Sequence, residues 1–124
     1  LVLGATISLK EGNLEEIKTL TRELSEKRTS KQPLEFPSAG STFKRPEGYF
    51  AGKLIMDSGL RGCQIGGARV SDKHCGFVIN AGDATAEDVV SLMKHVTEVV
   101  REKYGVTLEP EVKFLGEFDK KCDW

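Results

Sequence analysis

The sequence predicts an α+β domain, a two-layer sandwich in which a small sheet packs against one long helix with shorter helices beside it. Three observations predict it. From Thr85 to about Tyr104 an apolar stripe repeats at helical spacing. Just before it, Gly76-Phe77-Val78-Ile79-Asn80 is the continuous apolar run of a strand buried on both faces or nearly so. After it, Glu111-Val112-Lys113-Phe114-Leu115 reads as a last strand, and a strand–helix–strand unit must fold its helix onto a sheet.

In chain order, Leu1 to Leu9 is β-branched and apolar enough for a strand, which Lys10-Glu11-Gly12-Asn13 ends. A helix is expected from about Leu14 to Lys27, because Leu14, Ile17, Leu20, Thr21 and Leu24 recur at helical spacing. Arg28-Thr29-Ser30-Lys31-Gln32-Pro33 then reads as a linker or domain boundary. Residues 33–48 carry three of the four prolines and are expected to be mostly loop. Ala51 to Ser58 fits a short helix that buries Leu54 and Ile55 and stops at Gly59. The glycine-rich run from Leu60 to Val70 suggests one strand or two very short ones. The long helix opens on Thr85-Ala86-Glu87-Asp88, a capping box with Asp in place of Glu or Gln. Its stripe is Val89, Leu92, Met93, Val96, Val99, Val100 and Tyr104, and Gly105 stops it with Lys103 near its negative end. Gly116 to Trp124 reads as a charged tail.

The 124 residues suffice for one domain with a real core. A net charge of −1 gives no global field toward nucleic acid or an anionic membrane, so any anion site must be a local cluster. The start lacks the basic residues and long apolar run of a leader, and no run approaches the ~18 residues of a membrane span. Leu1 opens directly in strand-like sequence without an initiator methionine, which suggests a piece of a longer protein. Cys63, Cys75 and Cys122 are too few for a disulfide framework and show no zinc spacing. They suggest reduced thiols in a cytoplasmic protein with no bound metal.

Several motifs fail on inspection. Gly48-Tyr49-Phe50-Ala51-Gly52-Lys53-Leu54 resembles a phosphate loop but is one residue short between its glycines, and Leu54 replaces the required hydroxyl. His74-Cys75 could be a base and a thiolate, but neighbours on an extended chain point to opposite faces, so they cannot pair if the strand begins there. His95 falls at the polar boundary of the long helix and is expected half-exposed. Glu109 and Glu111 would share one face of a strand, as an acid–base pair does and as solvated surface carboxylates do. The most suggestive stretch is Ser38-Ala39-Gly40-Ser41-Thr42, followed by Lys44-Arg45. It is good turn sequence, and it is equally a gap where a ligand could meet backbone N–H groups while Arg45 grips a phosphate or carboxylate.

Taken together, these stretches resemble one family. Gln32-Pro33-Leu34, Pro37-Ser38-Ala39-Gly40-Ser41-Thr42-Phe43-Lys44-Arg45-Pro46 and Tyr49-Phe50-Ala51-Gly52-Lys53-Leu54-Ile55 carry the first part of the resemblance. Gly66-Gly67-Ala68-Arg69-Val70-Ser71, Lys73-His74-Cys75-Gly76-Phe77 and Leu108-Glu109-Pro110-Glu111-Val112-Lys113-Phe114-Leu115-Gly116 carry the rest. In this order they resemble the C-terminal region of the UDP-N-acetylenolpyruvoylglucosamine reductase (MurB) family, over nearly the whole chain.

The resemblance implies a bacterial flavoenzyme of peptidoglycan synthesis in the cytoplasm. In that family NADPH reduces FAD, and the flavin passes hydride to UDP-N-acetylglucosamine enolpyruvate to give UDP-N-acetylmuramate. By position Ser41 matches the family's proton donor to C2 of the enolpyruvyl group, and Glu111 its catalytic glutamate. A bare carboxylate beside an enolate would repel it, so Glu111 should be protonated or bridged by a cation. An arginine with that role in the family lies in its FAD portion, upstream of Leu1. Arg45 and His74 fall at substrate-contacting positions, with Lys44 and Gly40 beside them. Residues 1–30 match the last strand and helix of the FAD-binding portion, and residues 31–124 the substrate-binding domain. This chain alone is therefore expected to bind neither FAD nor NADPH and to be inactive, the FAD-binding portion being its missing partner. The competing readings are a stand-alone UDP-sugar or anion-binding module without catalysis, and a structural domain in which Ser41 and Glu111 lie far apart.

Overall fold

The computed structural model describes residues 2–116; the expectations for Leu1 and for the tail from residue 117 onward lie outside the described residues. The chain divides into two compact units, residues 1–30 and residues 31–124.

The first unit holds α1, Leu14–Lys31. Asn13 caps it: its Oδ1 accepts the N–H groups of Glu15 at 2.9 Å and Glu16 at 3.2 Å, which would otherwise lack partners. The helix runs through Arg28, Thr29 and Ser30, where a linker was expected. Polar residues are tolerated there because their hydroxyls bond back to the preceding turn, as Ser30 Oγ does to the Lys27 carbonyl at 3.1 Å. No residue of α1 is buried, and Leu14, Ile17, Leu20 and Leu24 are each more than half exposed. The strand expected over residues 1–9 does not form in its described part; residues 2–13 contain neither helix nor strand. A strand needs an edge to pair with, and the described residues of this unit supply none.

The second unit is the α+β domain. Strands β1 (Gln64–Ile65), β2 (Ala68–Val70) and β3 (Val78–Asn80) form an antiparallel sheet in sequence order. Arg69 stands opposite Gln64 on one side and Ile79 on the other. Two helices, α2 (Ala51–Asp57) and α3 (Ala86–Tyr104), complete the unit, and α3 packs on β1, β2 and α2. Leu92, Met93, Val96 and Val100 on α3 are fully buried, in one core with Ala68 and Val70 of the sheet and Leu54 and Ile55 of α2. Burying each of the larger side chains contributes about 1.5–3 kcal/mol. The stripe differs from expectation at two positions: Val90 is buried, and Tyr104 stays 41% exposed at the last turn. Lys103 reaches across from that turn and donates to the Ser58 carbonyl at 2.6 Å, tying the ends of α2 and α3 together. No helix among the described residues is long and apolar enough to cross a membrane.

The start of α3 is a complete capping box despite its aspartate. Thr85 Oγ1 accepts from Asp88 N at 3.1 Å, and Asp88 Oδ2 accepts from Thr85 N at 2.9 Å. Asp88 Oδ2 also takes the Gly67 N–H at 3.3 Å. The Thr85 N–H first, and then the Gly67 N–H, hold the Asp88 carboxyl below its usual range. A lowered native value stabilises the fold above the unfolded carboxyl's range, about pH 4, and the stabilisation is lost as pH falls through the native value. Thermal melts should therefore drop more steeply on acidification in the parent than in D88N; parallel curves would remove Asp88 from the acid sensitivity.

Beyond β3 the sheet continues irregularly. Ser38 bridges Ile79, Asn80 N donates to the Pro37 carbonyl at 2.8 Å, and Thr42 N donates to the Gly76 carbonyl at 2.9 Å. Four positions separate Ser38 from Thr42 while three separate Gly76 from Ile79, so residues 39–41 carry one extra residue as a bulge. Gly40 takes φ +85° there, a left-handed conformation that glycine adopts freely. Phe43 then bridges Pro110. The strand expected over 111–115 does not form: Pro110 lacks a donor, and Val112 and Phe114 pack against the core instead.

Candidate functional site

The bulge projects Ser41 out of an otherwise anchored segment. Thr42 is buried, donates its N–H to Gly76 and accepts Val78 N on its hydroxyl at 2.9 Å. Phe43 is core. On the other side, Lys44 N donates to the Glu109 carbonyl at 2.8 Å, and Glu111 N donates to the Thr42 carbonyl at 2.9 Å. This short ladder brings Glu111 alongside residues 41–42, although nearly seventy positions separate them in sequence.

Ser41, Arg45, His74 and Glu111 line one cavity of about 460 Å³. Among the described residues, neither the Ser41 hydroxyl nor the Glu111 carboxylate has a hydrogen-bonded or ionic side-chain partner. Both are open to a ligand. Arg45 is held by its own neighbourhood: Nε donates to the Tyr49 carbonyl at 3.3 Å, and the guanidinium lies 4.0 Å over the Phe50 ring. That cation–π contact orients the fork and leaves its terminal N–H groups for an anion. His74 sits in the loop between β2 and β3, its Nδ1 accepting the Gly76 N–H at 3.1 Å.

Gly40 and Lys44 do not line this cavity. Gly40 shapes the bulge. Lys44 pairs with Glu109 at 2.9 Å and faces the neighbouring clefts with it, and this ammonium lowers the Glu109 pKa. Glu109 and Glu111 therefore serve different cavities and do not form an acid–base pair. His74 and Cys75 both line the cavity because residues 74–76 turn before β3 begins at Val78, so the extended chain that would point them to opposite faces does not start there. They form no catalytic pair: His74 Nδ1 is taken by Gly76, and burial pushes the Cys75 thiol up, with Arg61 opposing. Cys63 and Cys75 are free thiols, and His95 is exposed.

Sequence reading missed three cations at the cavity: Lys53, which pairs with Asp57 at 2.7 Å, Arg61 and Lys73. Arg61 donates to the Asp72 carbonyl at 3.0 Å, and Lys73 lies 3.5 Å from a Glu35 carboxylate oxygen. Arg61 stands in a glycine turn that carries no ligand signature; Lys73 is adjacent to His74 and could have been found from it. With Arg45 they make the cavity cationic, suited to an anionic ligand. Among the described residues no cluster of three His, Cys, Asp or Glu could hold a metal ion.

A family model described as the C-terminal domain of UDP-N-acetylenolpyruvoylglucosamine reductase matches residues 32–115. The chain belongs to this reductase family. The reductase of that name from Lachnoclostridium phytofermentans is 66% identical over 116 residues, covering 94% of this chain and 37% of that protein. The one from Caldanaerobacter subterraneus is 60% identical over 117 residues, covering 94% of this chain and 39% of that protein. The crystal structure of the reductase from Thermus caldophilus superposes with a TM-score of 0.68 at 39% identity, covering 84% of this chain and 37% of that one. The chain thus spans less than two-fifths of the length of these relatives.

Proposed function

We propose that this chain is the substrate-binding part of a cytoplasmic, NADPH- and FAD-dependent reductase that converts UDP-N-acetylglucosamine enolpyruvate to UDP-N-acetylmuramate for peptidoglycan. The observation that supports it is the meeting of Ser41 and Glu111, both unengaged among the described residues, in one cationic cavity. A nucleotide sugar with a diphosphate and a carboxylate suits Arg45, Lys73 and Arg61.

The residues of this cavity do not fit a flavin. An isoalloxazine needs a flat apolar slot, and the rings here are committed elsewhere: Phe50 lies under Arg45, Phe43 is buried, and His74 meets Phe77 edge-on. The hydride source is therefore assigned to the remainder of the enzyme. Residues 1–30 are assigned to that portion too, because the exposed stripe of α1 needs a surface to cover it.

The role proposed for Ser41 is the one the family resemblance implies, proton donor to C2. Once C3 has gained hydride, the electron pair at C2 takes the Ser41 Oγ proton; the O–H bond breaks, a C–H bond forms, and solvent restores the hydroxyl. Serine is a weak acid, so the step needs a strongly basic carbanion and a short approach. Glu111 acts at the substrate carboxylate through a shared proton or a cation, since two bare anions would repel.

Titration of the intact protein with UDP-N-acetylglucosamine enolpyruvate, with product followed in parallel, tests this reading. Saturable binding in the range of about 1 μM to 1 mM, with UDP-N-acetylmuramate formed, is expected. Binding without product would make the protein a nucleotide-sugar binding module, and no binding would end the proposal.

A further inference from the structure

The loop that carries His74 is fixed with unusual economy. Ser71, buried after β2, accepts the N–H groups of both Lys73 and His74 on its hydroxyl at 3.2 Å. The imidazole is then held from three sides. Gly76 N–H donates to Nδ1 at 3.1 Å, the Phe77 ring meets it edge-on at 5.0 Å between centroids, and Gly52 of α2 closes the third side. A neutral ring nitrogen that accepts an N–H carries no proton, so the ring's proton sits on Nε2. No protein acceptor engages Nε2 among the described residues, and His74 lines the cavity that holds Ser41, Arg45 and Glu111.

Neither glycine is there for its backbone. Gly52 and Gly76 both lack a positive φ, and glycine inside a helix such as α2 is unfavourable. What each position requires is empty space. A Cβ at Gly76 would stand 2.9 Å from His74 Cε1 and 3.1 Å from Nδ1. At Gly52 it would stand 3.1 Å from Gly76 N and 3.3 Å from His74 Cε1. A methyl at Gly76 therefore strikes the ring first, while one at Gly52 meets the Gly76 backbone nitrogen first and the ring just behind it.

We infer that Gly52 and Gly76 are positioning residues that seat the His74 imidazole in its Nε2–H form, aimed to donate to an acceptor oxygen of the nucleotide sugar. The inference rests on the substrate reading above for the identity of the acceptor, but the seat exists without it. Ser71 sets the loop, Gly76 sets the tautomer, and Gly52 leaves room for the ring.

Two measurements on the intact protein test it. Long-range proton–nitrogen spectra of the ligand-free protein, with the His74 signals assigned by their loss in H74A, should show the proton on Nε2. They should show a mixture of tautomers in G76A. In turnover with UDP-N-acetylglucosamine enolpyruvate, H74A should raise KM about tenfold, more than it lowers kcat, as expected for one lost hydrogen bond to an anion. G76A and G52A should raise KM in the same sense, and G76A added to H74A should raise it no further. Should G76A fail to fold, G52A carries the cycle. A proton on Nδ1 in the parent, or a glycine substitution that costs as much without His74 as with it, overturns the inference. If the parent does not use the nucleotide sugar, the proposed function falls, and the tautomer measurement alone decides the seat.

Discussion

Replacing Ser41 with alanine in the intact reductase should lower kcat by about 10²–10⁴-fold, the range for removing a positioned proton donor. KM should stay within about fivefold, because only one neutral hydrogen bond to substrate goes with the hydroxyl. Stability should not change measurably: Ser41 is exposed at the tip of the bulge, its neighbours Thr42 and Phe43 carry the packing, and surface substitutions are usually within about 0.5 kcal/mol. Steady-state kinetics with a thermal melt separates these effects. Full activity in S41A would assign the proton to another group, and a large loss of stability would mean that the hydroxyl holds the bulge together.

Replacing Gly67 with alanine should be the most damaging single methyl added to the fold. A Cβ there would run into the Gly82 carbonyl oxygen and the backbone nitrogen of Ala84, and would stand 2.6 Å from Ala84 Cα. These are backbone atoms with nowhere to go. The same residue donates its N–H to Asp88 and accepts Ala81 N at 2.9 Å, so it fastens the β1–β2 turn to the start of α3. A forced shift should cost about 3 kcal/mol or more. For a domain of this size that lowers Tm by more than about 10 °C. A Tm within about 2 °C of the parent would show that the turn and α3 can separate freely.

These two residues also mark what sequence can and cannot disclose. Helix α3 was legible from end to end because its signals are local: a capping box at Thr85, a stripe at helical spacing, and a left-handed stop at Gly105 with φ +67°. The α+β class followed from that helix and the apolar run before it. Elements that depend on a distant partner were not legible. Leu1 to Leu9 has strand composition, yet its described residues pair with nothing in their unit. Residues 111–115 alternate like a strand but form none: the bridge beside them is at Pro110, and Val112 and Phe114 then turn into the core. The bulge at 39–41 was visible only as small residues; that they project Ser41 depends on Gly76 and Val78 across the sheet. The resemblance pointed to Ser41, Arg45, His74 and Glu111 together, whereas Lys44 turned to Glu109 and Arg61 entered the cavity unannounced.

The most direct test of the account is a crystal structure of the intact protein with UDP-N-acetylglucosamine enolpyruvate bound. The account predicts C2 of the enolpyruvyl group within about 3–3.5 Å of Ser41 Oγ, the distance of a reactive approach. Glu111 should lie at the substrate carboxylate, with Arg45 and His74 on its anionic or sugar oxygens. A nucleotide sugar seated in another cleft, or one in this cavity with its enolpyruvyl group turned away from Ser41, would contradict it.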